Sequence, residues 1–210
     1  YGIDNSCKLL AKDITITNSY VDFKVKIGDK NERIKVDIPG RFTVYNSLAA
    51  ISVGKVLDIP IEKIKSGILN FELSKMRLDV IKKNGYTIIN DCYNANFDSM
   101  KSSIEYLRNC AGKRKIAVLG DMLELGDFSK ELHEKVGMEV AKNNIDILIT
   151  VGKESKNIAR VAKENGTKEI YEFENNADAI NKIKEIMQND DVILVKASNS
   201  MKFKEIVECL

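Results

Sequence analysis

The chain has no long apolar run. No stretch approaches the roughly 18–20 consecutive apolar residues that span a bilayer, and no leader segment opens it, so the expectation is a cytoplasmic protein without membrane insertion. It also has little net charge: 33 Lys and Arg stand against 31 Asp and Glu, interspersed rather than blocked, and leave +2. That balance argues against a broad nucleic-acid footprint. Cysteine is sparse. The four at positions 7, 92, 110 and 209 show no CxxC spacing and are joined by one histidine, which argues against a zinc site and makes reduced thiols the expectation.

Two phosphate-binding signatures are missing as well. No GxGxxG follows the apolar run at 86–90, and no GxxxxGK[ST] occurs anywhere, so the chain has no visible P-loop to cradle a triphosphate. Any nucleotide it handles must be shared with residues outside this sequence. The first residue is Tyr1, not Met, and the chain is expected to be a piece of a longer polypeptide.

What is present is the make-up of an ordinary globular protein: 210 residues, 44% hydrophobic and 30% charged, enough for one large domain or two small ones. Two regions differ in pattern. In the first, Val21, Phe23, Val25 and Ile27 alternate with polar residues, as do Ile34, Val36 and Ile38, around Gly28-Asp29-Lys30-Asn31. Period-two alternation about a turn signal predicts a β-hairpin. Val44, Leu48 and Ile51 then follow helical spacing, and Pro60 suits the first turn of a helix carrying Ile61, Ile64 and Ile68 that ends near Asn70.

From about residue 73 strands and helices alternate. Strands are predicted at 86–90, 115–119, 146–151, 169–173 and 192–196, with helical patterns at Met100/Ile104/Leu107, Leu132/Val136/Val140, Ile158/Ala162 and Ile180/Ile183/Met187, and a last helix through Phe203, Ile206, Val207 and Leu210. Short Ile- and Val-rich strands separated by such helices predict an α/β, Rossmann-like, mainly parallel sheet covered on both faces.

The densest cluster of polar groups is Asn90-Asp91-Cys92-Tyr93-Asn94-Ala95-Asn96, at the end of a strand and the start of a helix. Open α/β sheets build ligand sites there: an Asp accepts from a hydroxyl pair, and a helix start receives negative charge. Asp and Asn at such a turn also cap helices whatever the function. Leu119-Gly120-Asp121-Met122-Leu123-Glu124-Leu125-Gly126 is open to two readings, cleft lining or plain loop. His133 reads as a packing or surface residue, and Ser198 or Ser200 as a cap of the last helix.

Taken in order, GRFTVYNSLAA (40–50), MRLDVI (76–81), NDCYNANFDSM (90–100), LGDMLELG (119–126), the stretch from His133 to Gly137, and VKASNSMKF (195–203) resemble the Mur ligases over nearly the whole chain. The 91–96 and 119–126 segments are most similar to the branch that adds D-alanyl-D-alanine. The resemblance implies three domains: one for a uridine nucleotide, a P-loop ATPase, and a Rossmann-like third. Residues 1–72 would be the tail of the ATPase domain and 73–210 the third domain. It further implies an ATP-dependent ligase that joins D-alanyl-D-alanine to UDP-N-acetylmuramoyl-tripeptide through an acyl phosphate, in peptidoglycan precursor synthesis, as a monomer. The ATP and magnesium would be held mainly by upstream residues, and this piece alone would be inactive.

Residue by residue, the resemblance matches Asn46 to an adenine-reading amide, Arg77 to an arginine that reaches the phosphates, and Asp91 to a carboxylate that holds ribose hydroxyls. Asn94 and Asn96 fall in the same motif, and Ser198 and Lys196 are matched to the dipeptide carboxylate. Phe42-Thr43, Phe97, Asn199 and Lys204 depart from the family pattern. The linker near 74–77 suggests a hinge that closes the third domain over nucleotide. A related ligase with another acceptor (folate or storage-polymer type) and a non-catalytic nucleotide-binding module are the alternatives.

Overall fold

Alternation builds the first unit. The structure, a computed structural model, describes residues 1–4, 7–17, 19–71 and 76–210, and it divides into two units, Tyr1–Leu73 and Ser74–Leu210, one residue later than the expected boundary. Ser74 and Lys75 of the expected hinge lie outside the described residues. In the first unit β1 (Ala11–Ile16), β2 (Val21–Ile27) and β3 (Lys30–Val36) form an antiparallel sheet in that order. The hairpin is as expected, but its loop is only Gly28-Asp29, because Ile27 already pairs with Lys30. Gly28 supplies the positive φ (62°) that a two-residue hairpin turn needs at its first central position. Val21, Phe23 and Val25 on one face of β2 are fully buried with Val44, Leu48 and Ile51 of α1 (Arg41–Val56) and with Ile64 and Ile68 of α2 (Ile61–Leu69).

The second unit is a six-stranded sheet. Its strands are β4 (Asp79–Lys83), β5 (Tyr86–Asn90), β6 (Lys115–Gly120), β7 (Ile147–Val151), β8 (Glu169–Phe173) and β9 (Val192–Lys196), in the order β4-β5-β9-β6-β7-β8. All pairs are parallel except β4 with β5. The strand β4 is an addition to the expected set. It is formed by the Asn84-Gly85 turn, whose residues both take positive φ (49° and 86°), as a type I′ hairpin requires.

Helices α3 (Phe97–Asn109), α4 (Ser129–Lys142) and α5 (Lys156–Glu164) cover one face, while α6 (Asn176–Ile186) and α7 (Lys204–Cys209) cover the other. Ile89, Ala117, Leu119, Leu148 and Leu194 belong to the first core, and Ile88, Ile116, Val118, Ile149, Ile193 and Val195 to the second. Each buried Ile, Leu or Val side chain among them contributes about 1.5–3 kcal/mol, which is why the central strands read as unbroken apolar runs. After β8 the chain doubles back and inserts β9 between β5 and β6. The carboxyl ends of β5, β9 and β6 therefore lie side by side, at the point where the connections change direction. Crevices that take ligands form at such points.

Candidate functional site

Asp91 follows the last residue of β5, and its N–H donates to Val195 O (3.0 Å), so the ladder with β9 continues one residue past the strand. Its carboxylate is buried (8% exposed) and receives three donors. Leu78 N–H binds Oδ1 (3.1 Å), while the Ser103 hydroxyl and the Lys196 ammonium, each at 2.6 Å, bind Oδ2. Oδ1 keeps a lone pair for one further donor.

Lys196 ends β9 and is 1% exposed. Besides Asp91, its ammonium donates to Asn94 O (2.9 Å). Burial lowers its pKa from the ordinary lysine value, the Asp91 carboxylate opposes that, and the Arg77 charge adds to the lowering. Lys196 thus serves the Asp91–Asn94 turn within the protein, not as a free surface cation. Arg77 itself is exposed, with its guanidinium stacked over the Tyr93 ring at 4.4 Å from the centroid. Cys92 is buried, its thiol donating to Asn90 Oδ1 (2.8 Å), and burial pushes its pKa up to about 11. It stays a thiol at neutral pH and is no nucleophile.

The two asparagines differ in use. Asn94 Oδ1 accepts from Ala95 N–H (2.8 Å), leaving its amide NH2 as the group open to a ligand. Asn96 is the N-cap of α3. Its Oδ1 accepts from Ser99 N–H (2.9 Å) while the Ser99 hydroxyl takes the Asn96 N–H (3.0 Å), a reciprocal capping box. The helix accordingly starts at Phe97, one residue before the expected Asp98.

Beside this turn, the loop after β6 is fixed from three sides. The Asp121 carboxylate, buried, accepts from Lys153 N–H (3.1 Å) and Ser155 N–H (2.8 Å), tying the ends of β6 and β7 together. Leu123 N–H donates to the Ser198 hydroxyl (2.9 Å), and Ser198 N–H donates to Asp121 O (3.1 Å). Ser198 makes no side-chain cap; its hydroxyl accepts from the loop and still has a proton to donate. Met122 N–H donates to His133 Nε2 (2.9 Å), and His133 Nδ1–H faces Ser129 O (2.7 Å), which sets the neutral tautomer. His133 is wholly buried, so it is a packing residue with a defined polar task.

The structure thus brings Asp91, Lys196 and Asn94 into one cluster, with Arg77 one residue from the Leu78 amide that joins it, and sets Ser198 on the neighbouring loop. Asn46 belongs to the first unit, exposed on α1. Sequence reading missed Ser103 and the anchoring role of Asp121. Ser103 lies seven residues after Asn96 and one before buried Ile104, on the face of α3 that meets the sheet. Among the described residues no group of three His, Cys, Asp or Glu side chains is placed to hold a metal ion. No helix among the described residues is long and apolar enough to cross a membrane.

Residues 76–199 match the family model described as Mur ligase, glutamate ligase domain. The chain is 37% identical over its whole length to a UDP-N-acetylmuramoyl-tripeptide–D-alanyl-D-alanine ligase of Buchnera aphidicola, covering 45% of that protein. To the Bacillus subtilis ligase of the same name it is 34% identical, again end to end, covering 46% of it. A 2,6-diaminopimelate-adding ligase from Caldanaerobacter subterraneus is 33% identical over 93% of the chain. Among solved structures, MurF from Acinetobacter baumannii superimposes with a TM-score of 0.83 at 27% identity, over 96% of this chain and 44% of that one. The chain spans about half the length of the curated relatives it matches. All the site residues described in the second unit fall within the matched segment, and the chain belongs to the Mur ligase family.

Proposed function

We propose that this chain is part of a cytoplasmic ATP-dependent ligase that adds D-alanyl-D-alanine to UDP-N-acetylmuramoyl-tripeptide. The observation that carries the reading is the end-to-end likeness, through both units, to relatives of that name. In this reaction the tripeptide carboxylate attacks the γ-phosphorus of ATP and ADP leaves. The dipeptide amine then attacks the acyl carbon, phosphate departs and the amine loses a proton.

The residues suit parts of that scheme. Arg77 carries a fixed planar cation for phosphate oxygens. The remaining lone pair on Asp91 Oδ1 accepts a ribose hydroxyl, and Asn46 offers an amide that both donates to and accepts from a purine edge. Ser198 has a hydroxyl proton for the dipeptide carboxylate, and the Asn94 and Asn96 amide NH2 groups remain as donors at the turn. Lys196 acts on the dipeptide only indirectly, by holding this turn. The described residues do not fit a magnesium site, so no step here runs through one. Residues 1–72 read as the tail of the ATPase domain and the second unit as the third domain.

The diaminopimelate-adding relative supplies the second reading, an enzyme with a single amino acid as acceptor. Phosphate release by the complete protein, with each acyl donor and acceptor pair, decides between them. The expected result is release with D-alanyl-D-alanine about 100-fold or more faster than with any single amino acid, because polar groups built for the longer acceptor are left unpaired by a shorter one. Faster release with 2,6-diaminopimelate on the dipeptide precursor would establish the second reading instead.

A further inference from the structure

Arg77 sits in an unusual piece of backbone. Its neighbours Met76 and Leu78 both take left-handed conformations (φ 66° and 48°) though neither is glycine or asparagine. Each such residue costs about 1–2 kcal/mol, and the pair persists only because its surroundings hold it. The holding contacts can be named. Leu78 N–H donates to Asp91 Oδ1 (3.1 Å), and Met76 O accepts from Tyr93 N–H (3.2 Å). The Met76 side chain packs on one core of the sheet and the Leu78 side chain on the other. Arg77, between them, is left exposed over Tyr93.

The one charged group in that set of contacts is Asp91, and it is held in turn by Lys196 and Ser103 (2.6 Å each). We propose that Lys196 and Asp91 form a buried latch that fixes the strained strap 76–78, making Lys196 a positioning residue for Arg77 and not a ligand of the substrate. The contribution of the latch to catalysis rests on the reading of Arg77 as a phosphate contact; its existence in the fold does not. Removal of the ammonium leaves Asp91 without its counter-charge in a buried setting. The carboxylate then moves or takes up a proton, Leu78 N–H loses a charged acceptor, and the strap relaxes to ordinary backbone angles that carry Arg77 away from the site.

Two measurements test this. The first is amide hydrogen exchange in the 210-residue chain. In Lys196→Met the Leu78 amide is expected to exchange at least about tenfold faster than in the wild type, while Val118 and Ile149 amides in the central strands keep their protection. Unchanged Leu78 protection in a folded variant overturns the latch. If Lys196→Met does not fold, Ser103→Ala, which removes one donor from the same oxygen without changing charge, takes its place with the same criterion. The second is a double-mutant cycle on kcat/KM for ATP in the complete protein. Lys196→Met and Arg77→Ala are expected to be non-additive, the double variant losing clearly less than the product of the two single losses, because Lys196 acts in part through Arg77. Effects that multiply overturn the positioning role. Unaltered turnover in Arg77→Ala alone counts against the functional reading, and the exchange result is independent of it.

Discussion

Asp91→Ala is expected to destabilise the protein by about 3–5 kcal/mol, the range for breaking a buried ion pair by removing one partner. The variant leaves Lys196, 1% exposed, without its carboxylate. An upper bound follows from the alternative open to the lysine, which is to lose its proton. From an ordinary value of 10.5, neutralisation at pH 7 costs about 5 kcal/mol at ~1.36 kcal/mol per unit. The sign of the pH dependence follows too. Burial lowers the folded-state pKa of Lys196 below its unfolded value, so the unfolded chain binds this proton more tightly. The penalty is present at neutral pH and fades as pH rises towards 10.5. Asp91→Ala/Lys196→Met, an apolar replacement of the whole pair, is expected to recover most of the loss. Urea unfolding at pH 7 and pH 9.5 checks all three statements. A loss under about 1 kcal/mol in the single variant would mean that the pair is not buried and coupled as described.

Gly152→Ala is expected to cost about 3 kcal/mol or more and to lower Tm by about 10 °C. Gly152 takes φ 124°, a region that side chains avoid, and strain of that kind costs about 1–3 kcal/mol. A Cβ there falls 2.4 Å from Asp121 Oδ1 and 2.6 Å from Oδ2. Those oxygens hold the Lys153 and Ser155 amides, and each charge-assisted bond contributes about 1.5–3 kcal/mol. The methyl group therefore adds strain and breaks the tie between the ends of β6 and β7. Gly67→Ala is the control: it lies within α2, has open space around it and ordinary φ, and is expected to be neutral or stabilising by up to about 1 kcal/mol. Calorimetry on both variants separates a local requirement for glycine from a general sensitivity of the fold.

Much of the architecture was legible because burial on both faces leaves unbroken Ile and Val runs. The strands β5, β8 and β9 fall on their expected bounds, and β6 and β7 differ by one residue at one end. The edge strand β4 was missed although Asn84-Gly85 is a strong hairpin signal, since only Ile81 of its five residues packs on the core. The same cause hid β1, whose apolar residues are few and mostly part-exposed. In α4 the buried face is His133, Val136, Gly137 and Val140, a regular helical repeat that the choice of Leu132 obscured.

Site residues were legible as types but not as partners. Lys196 shares its strand face with Val192 and Leu194, and that alternation marks it for burial, yet only tertiary structure supplies Asp91 and Ser103 as its surroundings. Asn96 illustrates the converse: its amide oxygen does the capping that its position before a helix suggests, so its part in any ligand site falls to the NH2 group.

The central claim is that the rim beside Asp91 handles nucleotide phosphate through Arg77, and kcat/KM for ATP in the complete protein carrying Arg77→Ala tests it most directly. Arg77 is exposed, with its guanidinium over the Tyr93 ring, so Tm is expected to stay within about 1–2 °C of the wild type. Loss of a preorganised cation at a transferring phosphoryl group is expected to lower kcat/KM by about 100-fold or more. A folded variant that turns over within about twofold of the wild type contradicts the account.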